Sequence, residues 1–470
     1  MNKRMIMLMA AALALLSASG QVTFTGVGGH PVYEVTPEAN TDLNKIFVVY
    51  NTDGVGMTFN SSTGERATWE SFYYNNGNLV MEPVTDIRWN GMGTTLNRVI
   101  PNIGYKIQEG NNHPYYCWVV NYADYTMELN DMFLNEDSSC DLLSFIIDGH
   151  ADPITYYTVN GLPRVLDREL KLTYNTLELD TTGFSTGTEP KWIEVQVTDT
   201  FPSLAQGVSI APPLCETNTF VLTGDRFLEY WNEAEGCTTD LEDPNLVGLS
   251  AKMSAVVQDP RDDPFEREGN STELSGSAPR HIVFTGYPSD GVVYRAWEMA
   301  TDPEFQNIIL QYNQDQVDYT FDEWGTYYMR YVVNNAAGTC PAYGEDIVTG
   351  DDYYTISISE SQLECPNIFS PGSTPDVNDV WKVSYKSLVE FHCWIFNRWG
   401  NLVYEFTDPA GGWDGTYRGQ LVDTGVYYYV VTAVGSDGVK YKRRGDINIL
   451  KYKKGAQGTT DGGTGGAPGY

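Results

Sequence analysis

The sequence predicts an all-β protein made of several small domains. Its 470 residues include 32 Tyr, a residue typical of strands, and 45 Gly, a residue typical of the turns between them. Hydrophobic residues make up 41% of the chain, which is enough to build packed cores along most of its length. A chain of this length is expected to form about three or four domains.

The N-terminus has the three parts of a secretory signal peptide. Lys3 and Arg4 precede an unbroken apolar run, Met5–Leu16, and small residues including Gly20 lead to Gln21. The run is too short for a membrane-spanning helix, and no Cys stands at the cleavage point to carry a lipid. We therefore assign residues 1–20 to a signal peptide and expect the mature chain to be exported.

Charge divides the mature chain into two unlike parts. The formal net charge of the whole sequence is −33. Residues 21–365 alone carry a net charge of −36, and the remaining segments together are slightly positive. Residues 366–454 carry 11 Lys and Arg against 9 Asp and Glu, a net charge of +2. An acidic body disfavours nucleic acid as a partner, and the change of charge indicates that the terminal segment has a partner of its own.

Residues 21–140 are expected to form an Ig-like β domain. Lys45–Tyr50 is a short apolar strand followed by a turn signal, and a second such strand begins at Tyr115. Tyr115 stands two residues before Cys117, the spacing of the tyrosine corner in immunoglobulin-like sandwiches.

Two further β domains are expected before the terminal segment. Residues 141–209 form a small one, in which Trp192–Val197 alternates with period two. Residues 210–364 form the next, interrupted by a charged insert near 259–273. Tyr319–Tyr328 in this domain reads Tyr-Thr-Phe-Asp-Glu-Trp-Gly-Thr-Tyr-Tyr and resembles the strand–turn–strand of PKD-like domains, which implies a sandwich acting as a spacer.

Seven Cys in an exported chain permit disulfides and leave at least one thiol. Local pairs are predicted between Cys117 and Cys140 and between Cys215 and Cys237. Spacing alone does not determine the connectivity, and Cys340 with Cys365 is a further pairing. No CxxC pair occurs, so we predict no structural zinc.

After Cys365 four linked motifs follow one another. They are Phe369-Ser-Pro371 with Asp376–Trp381, then Phe391–Tyr404, then Trp413–Thr416, and finally Asp423–Val431. In order and spacing, residues 365–454 resemble the gliding-motility-associated C-terminal domain, the type-B sorting domain of the type IX secretion system. The resemblance implies a small C-terminal β-sandwich that the secretion translocon recognises and that attaches to an outer-membrane barrel of the PorP/SprF kind.

The family signature is carried here by residues of all four motifs: Phe369, Ser370, Pro371, Asn378, Asp379, Asn397, Arg398, Trp399, Gly400, Trp413, Asp414, Gly415, Gly425 and Tyr427. Two features depart from the family pattern. The first motif is one residue longer than usual, and residues 455–470 add a Gly/Thr tail, expected to be flexible, beyond the last strand.

Most of the signature is expected to build the fold rather than to touch a partner. Trp399, Trp413 and Tyr427 are interpreted as core or turn packing. Arg398 either bridges Asp414 or a turn carbonyl, or contacts a partner.

Local patterns around the signature leave further expectations. Gly400 is expected to take a positive φ in a turn across which Ile395 pairs with Leu402 and Val403. The basic end, Lys440 to Lys454, is either a solvated edge guard or a docking patch. The oxygen-rich loop at Asp376 is expected to cap a strand, with calcium binding as the alternative.

Catalytic motifs are absent from the sequence. Its five His form no HExxH motif, no GxSxG elbow or phosphate-binding glycine loop occurs, and chance carboxylate pairs are expected at this acidity. We therefore predict a protein that is not an enzyme and needs no cofactor, located at the cell surface in association with the outer membrane. It is expected to be a structural or signalling component of the secretion or gliding machinery, with a surface adhesin or glycan-binding protein as the alternative. An exposed row of Tyr and Trp on one sandwich face would favour glycan binding.

Overall fold

A computed structural model describes residues 21–258, 265–267, 273–371 and 378–450. The predicted signal peptide, the Gly/Thr tail and most of the charged insert lie outside these residues. Within them the chain forms 36 strands and one short α-helix, which confirms the all-β prediction. The chain divides into two compact units, residues 1–178 with 194–248, and residues 179–193 with 249–470.

The first domain of the first unit is a sandwich of two sheets with the strand orders β1-β4-β8-β7 and β2-β3-β10-β9-β5-β6. Its strands are β1 (Val22–Thr25), β2 (Tyr33–Val35), β3 (Lys45–Val49), β4 (Gly56–Asn60), β5 (Thr68–Asn75), β6 (Asn78–Pro83), β7 (Ile87–Trp89), β8 (Gly93–Leu96), β9 (Ile103–Gln108) and β10 (Tyr115–Asn121). A 3₁₀ turn, Tyr122–Asp124, follows.

Strands β3 and β10 pair in parallel at the centre of the larger sheet and are buried on both faces. Phe47 and Cys117 point into the core between the two sheets. Ile46 and Trp118 point to the opposite face, into a second core that includes Ile154 and Phe227 of the next domain. Because both faces are covered, these strands are continuously apolar instead of alternating.

The second domain of this unit packs the sheet β11-β12-β17 against the sheet β16-β15-β18-β19. Its elements are β11 (Met127–Leu134), β12 (Leu143–Ala151), β13 (Thr155–Tyr157), β14 (Pro163–Val165), β15 (Leu170–Asp180), β16 (Lys191–Phe201), β17 (Val208–Ile210), β18 (Asn218–Gly224), α1 (Arg226–Tyr230) and β19 (Glu235–Leu241), with 3₁₀ turns at Leu204–Gln206 and Pro244–Leu246. The end of β15, the start of β16 and the 3₁₀ turn Phe184–Thr186 between them fall in residues 179–193, which belong to the second unit.

One hydrophobic core runs through this second domain from Leu129 to Val247. The predicted boundary between residues 209 and 210 falls inside that core. The reason is that β18 pairs with β15, so the strands on either side of the predicted boundary belong to one sandwich.

In the second unit, the first domain is built from β20 (Ala251–Val257), β21 (Arg280–Pro288), β22 (Tyr294–Ala300), β23 (Ile308–Tyr312), β24 (Gln316–Phe321), β25 (Gly325–Asn334), β26 (Ala342–Asp346) and β27 (Tyr354–Ile358). β26 pairs with β25 on one side and with β20 on the other, and so joins all eight strands into one sheet folded around a shared core. The predicted strand–turn–strand at Tyr319–Tyr328 is present as the end of β24 and the start of β25. These two strands pair with β21 and β22 rather than with each other.

The C-terminal domain follows, with β28 (Gln362–Glu364), β29 (Ile368–Phe369), β30 (Ser384–Lys386), β31 (Leu388–Phe396), β32 (Leu402–Phe406), β33 (Thr416–Tyr417), β34 (Gln420–Leu421), β35 (Gly425–Gly435) and β36 (Lys440–Ile449). Its main sheet has the order β29-β36-β35-β31-β32, and β28 pairs with β30. The described part of the charged insert, Phe265–Arg267, lies against β30: Arg267 N donates to Tyr385 O over 2.9 Å.

The predicted cysteine pairs are not formed. Cys117, Cys215 and Cys237 are thiols, whereas Cys140 and Cys340 are disulfide-bonded. Cys117 is wholly buried in the core of the first domain, where β10 points it away from the surface. The Cys215 thiol donates to the carbonyl oxygen of Asn175 instead of bonding to Cys237. Cys365 is also a thiol, so a Cys340–Cys365 bond is absent.

Candidate functional site in the C-terminal domain

Part of the family signature forms the core of the C-terminal domain. Phe369 and Trp413 are buried, and their ring centroids lie 5.5 Å apart. Gly415 has φ +76°, and a Cβ at this position would lie 2.8 Å from Pro371 Cγ and 3.3 Å from the Phe369 ring. These contacts hold the first and third motifs together, so Phe369, Trp413 and Gly415 serve packing rather than recognition.

Trp413 is tied to a second buried tryptophan, Trp381, by a reciprocal pair of backbone hydrogen bonds of 2.8 and 3.0 Å. Each indole N–H finds a carbonyl: Trp381 donates to Pro366 O and Trp413 to Thr416 O, at 2.7 and 2.9 Å. Trp381 is not among the signature residues identified from the sequence. Its position directly after the Asn378–Val380 segment is the signal that could have indicated a core anchor.

Tyr427 packs edge-on against Trp413 with ring centroids 5.2 Å apart, and its hydroxyl donates to Asp423 O over 3.1 Å. The packing roles predicted for Trp413 and Tyr427 match this geometry. Gly425, with φ +148°, begins β35 two residues earlier.

The loop residues of the signature make local turns. Ser370 N donates to Asn378 O over 3.0 Å, and Asn378 itself has φ +57°. Asp414 Oδ1 accepts from the backbone N and the hydroxyl of Thr416 at 2.9 and 2.7 Å. Asp379 is half-buried beside this loop. Asp376 lies outside the described residues, and among those described no three His, Cys, Asp or Glu side chains gather to hold a metal ion.

The second motif forms an exposed turn between β31 and β32. Asn397 Oδ1 accepts from the backbone N atoms of Trp399 and Asn401, both at 3.0 Å, and Gly400 has the predicted positive φ, +80°. The strands pair as expected, but Ile395 lies opposite Tyr404 instead of Leu402 or Val403. A bulge after Ile395 shifts the register.

Trp399 is 70% exposed, so it does not pack in the core; of the predicted core or turn packing, the turn contact with Arg398 is what the structure shows. The guanidinium carbon of Arg398 lies 4.2 Å from the ring centroid of Trp399. Within the described residues Arg398 makes no ion pair or hydrogen bond, to Asp414 or to any turn carbonyl.

The main sheet of this domain also has an outer face covered with large side chains that take no part in its core. Tyr428 is 48% exposed, and its neighbours Val426 and Leu402 are each 42% exposed. Cross-strand rows on this face run Trp394–Val430–Arg444, Phe396–Tyr428–Asp446 and His392–Thr432–Lys442, with Leu402 beside Phe396 and Val426 next to Tyr428 along β35.

Comparison with known families identifies the class of domain that this fold and motif order define. Residues 363–449 match the family model of the CHU_C Type IX secretion signal domain. The chain therefore carries a type IX sorting domain at its C-terminus, as the resemblance predicted, and is exported to the cell surface by that route. Residues 132–239, most of which lie in the second domain of the first unit, match the Fibronectin type III domain model.

No curated protein sequence matches the chain. Solved structures that are similar include a tetra-tandem repeat from the extending region of a large adhesion protein, with 11% identity over 85% of this chain and 96% of that chain and a TM-score of 0.20. The chicken CNTN1 FN1–FN3 domains show 8% identity over 68% and 98%, with a TM-score of 0.20. A Ca²⁺-stabilized adhesin with which an Antarctic bacterium binds ice shows 11% identity over 92% and 99%, with a TM-score of 0.17.

A search for membrane spans finds, over the ranges that the structure describes, no helix long and apolar enough to cross a bilayer.

Proposed function

We propose that the C-terminal domain is read by the type IX translocon and then docks the exported chain onto an outer-membrane barrel of the PorP/SprF kind. The protein then acts without catalysis, as a structural or signalling component of the secretion or gliding machinery. The observation that carries the proposal is the exposed Arg398–Trp399 pair in a domain whose other aromatic signature residues are buried or half-buried.

An exposed tryptophan on a hydrogen-bonded turn is suited to binding, because the backbone of the turn is already fixed and loses little conformational entropy when a partner binds. Arg and Trp are also the residue types most enriched among the energetic centres of protein interfaces. The stacked guanidinium keeps five donors near the indole, and none of them has a hydrogen-bond partner among the residues that the structure describes. The family match supports docking in general, and this turn supports a location for it.

Two truncations and one substitution test the proposal. A chain ending at Glu364 should remain inside the cell envelope, whereas a chain that lacks only residues 455–470 should still reach the surface. The Trp399→Ala protein should be exported, yet co-purify with less of the barrel than the intact protein does. Recovery of the intact protein alone, from the culture medium, would contradict docking.

Glycan binding is a second candidate because Tyr428 and Trp394 form part of an exposed face of the same domain. Calorimetric titration of the purified protein with surface polysaccharide tests it. Saturable binding that is lost in Tyr428→Ala would support the glycan function. If the intact protein gives no heat of binding, the glycan function is wrong.

A further inference from the structure

Among the residues of this unit that the structure describes, none covers the outer face of the main sheet in the C-terminal domain. Val426, Tyr428 and Leu402 are 42%, 48% and 42% exposed, and they stand at one end of the face, beside the turn that carries Trp399. A contiguous apolar surface of this kind on a soluble domain indicates a binding site.

Three cations and one carboxylate lie along β36 at one edge of this face, with Asp446 opposite Tyr428 and Arg444 opposite Val430. Lys440, Lys442 and Arg444 alternate along β36, point to the same face and are all exposed. On the other side Glu405 lies 3.6 Å from the ring nitrogen of His392, within the reach of a weak ion pair. The face is therefore an apolar centre whose β36 edge carries three positive charges, Lys440, Lys442 and Arg444, followed by the carboxylate of Asp446.

Two other occupants, the chain segment after Leu450 and a glycan, fit this face poorly. The sequence that follows Leu450 begins Lys451-Tyr-Lys-Lys454 and would bring more positive charge to the cationic border. A glycan fits the aromatic rings but not the aliphatic side chains of Val426, Val430 and Leu402, which offer its hydroxyl groups no hydrogen-bond partner.

We propose that this face, continuous with the Arg398–Trp399 turn, is the surface that binds the protein partner of the sorting domain. The partner presents an apolar patch bordered by carboxylates, which face Lys440, Lys442 and Arg444. The inference rests on the proposed docking function and adds to it the location of the site and the chemistry of the partner. The apolar centre supplies affinity, while the row of charges supplies the orientation and the rate of association.

The test uses the full-length exported protein, extracted with its partner in mild detergent. The double substitution Lys442→Glu with Arg444→Glu should reduce the co-purified partner at least about tenfold, as should Tyr428→Ser. Arg418→Glu is the matched control, since it reverses one exposed charge in the same domain outside the main sheet, and it should leave recovery unchanged. Unchanged thermal unfolding of each variant shows that the domain still folds.

The outcomes separate this inference from the proposed function. If the intact protein recovers the barrel and the outer-face variants do so equally well, docking stands and this surface is wrong. If the intact protein recovers no barrel, the docking function itself is wrong. Retention of the intact protein by purified surface polysaccharide, lost in the charge-reversal variant, would overturn the assignment to a protein partner. Raising the salt concentration should weaken recovery of the intact protein more than that of the charge-reversal variant.

Discussion

The guanidinium of Arg168 donates to the carboxylate of Asp225 across 2.5 Å, and both side chains are almost wholly buried. Tyr122, from the end of the first domain, donates its hydroxyl to the same carboxylate over 3.0 Å. Arg168 also donates to Asp152 O, and the second carboxylate oxygen of Asp225 accepts from two amides at the start of α1. One ion pair therefore connects the first domain, the second domain and a helix cap.

Removing one partner of this ion pair should be strongly destabilising. Asp225→Ala leaves a buried guanidinium without its counter-charge and α1 without its cap, at an expected cost of about 3–5 kcal/mol. Hydrogen exchange of the α1 amides in the full-length protein measures the change. Lys171→Met, which breaks an exposed pair with Glu229 at 2.6 Å, should cost less than about 1 kcal/mol. Equal effects of the two substitutions would contradict the structural role of Arg168 and Asp225.

The first domain should lose stability in strong acid because of Glu109. Burial favours the protonated form of this carboxyl, but donors on Ser61, Ser62 and Thr63 outweigh it and hold the pKa at about 2, below its ordinary value of 4.5. Since the folded pKa is the lower one, the stabilisation is complete above about pH 4.5 and is lost as pH falls towards 2. A shift of this size corresponds to about 3 kcal/mol.

Urea unfolding at several pH values checks this prediction. Glu109→Gln should be less stable at pH 7 and should lose less stability between pH 4.5 and 2 than the intact protein. Glu136→Gln, at an exposed position outside the first domain, should keep the acid sensitivity of the intact protein. A Glu109→Gln protein with the same acid sensitivity as the intact protein would show that other carboxyl groups are responsible.

The two signature tryptophans should respond in opposite ways to truncation. Trp413→Ala empties a fully buried site and should destabilise the C-terminal domain by about 3–5 kcal/mol, with loss of surface display. Trp399→Ala alters a side chain that is 70% exposed and should change stability by less than about 0.5 kcal/mol. Thermal unfolding and surface labelling of both variants are the measurements, and a destabilised Trp399→Ala protein would refute the exposed position.

The number of free thiols can be counted by alkylation followed by mass spectrometry. Alkylation of the denatured, unreduced protein should modify Cys117, Cys215, Cys237, Cys365 and Cys393, and reduction should add Cys140 and Cys340. In the native protein, burial raises the pKa of Cys365 to about 11, so about one molecule in a thousand carries the thiolate at pH 8. Slow native labelling at Cys365 is expected, and a bond between Cys117 and Cys140 would contradict the structure.

Features set by neighbouring residues were predictable. The positive φ of Gly400 follows from a short turn that only a residue without a side chain enters at little cost. Strand content follows from composition and alternation, and the order of motifs after Cys365 was enough to predict the sorting domain that the family match identifies. These properties depend on a few adjacent residues and not on how the rest of the chain is arranged.

Which side chains are covered depends instead on strands far apart in sequence. Trp399 and Trp413 have the same chemistry, yet only Trp413 meets Trp381 and Phe369 and is buried. Cys117 was predicted to pair locally, but the parallel alignment of β10 with β3 turns it into a core. Long-range pairing distributes burial among residues of equal hydrophobicity, and that distribution leaves Tyr428 and the cations of β36 on a surface open to a partner.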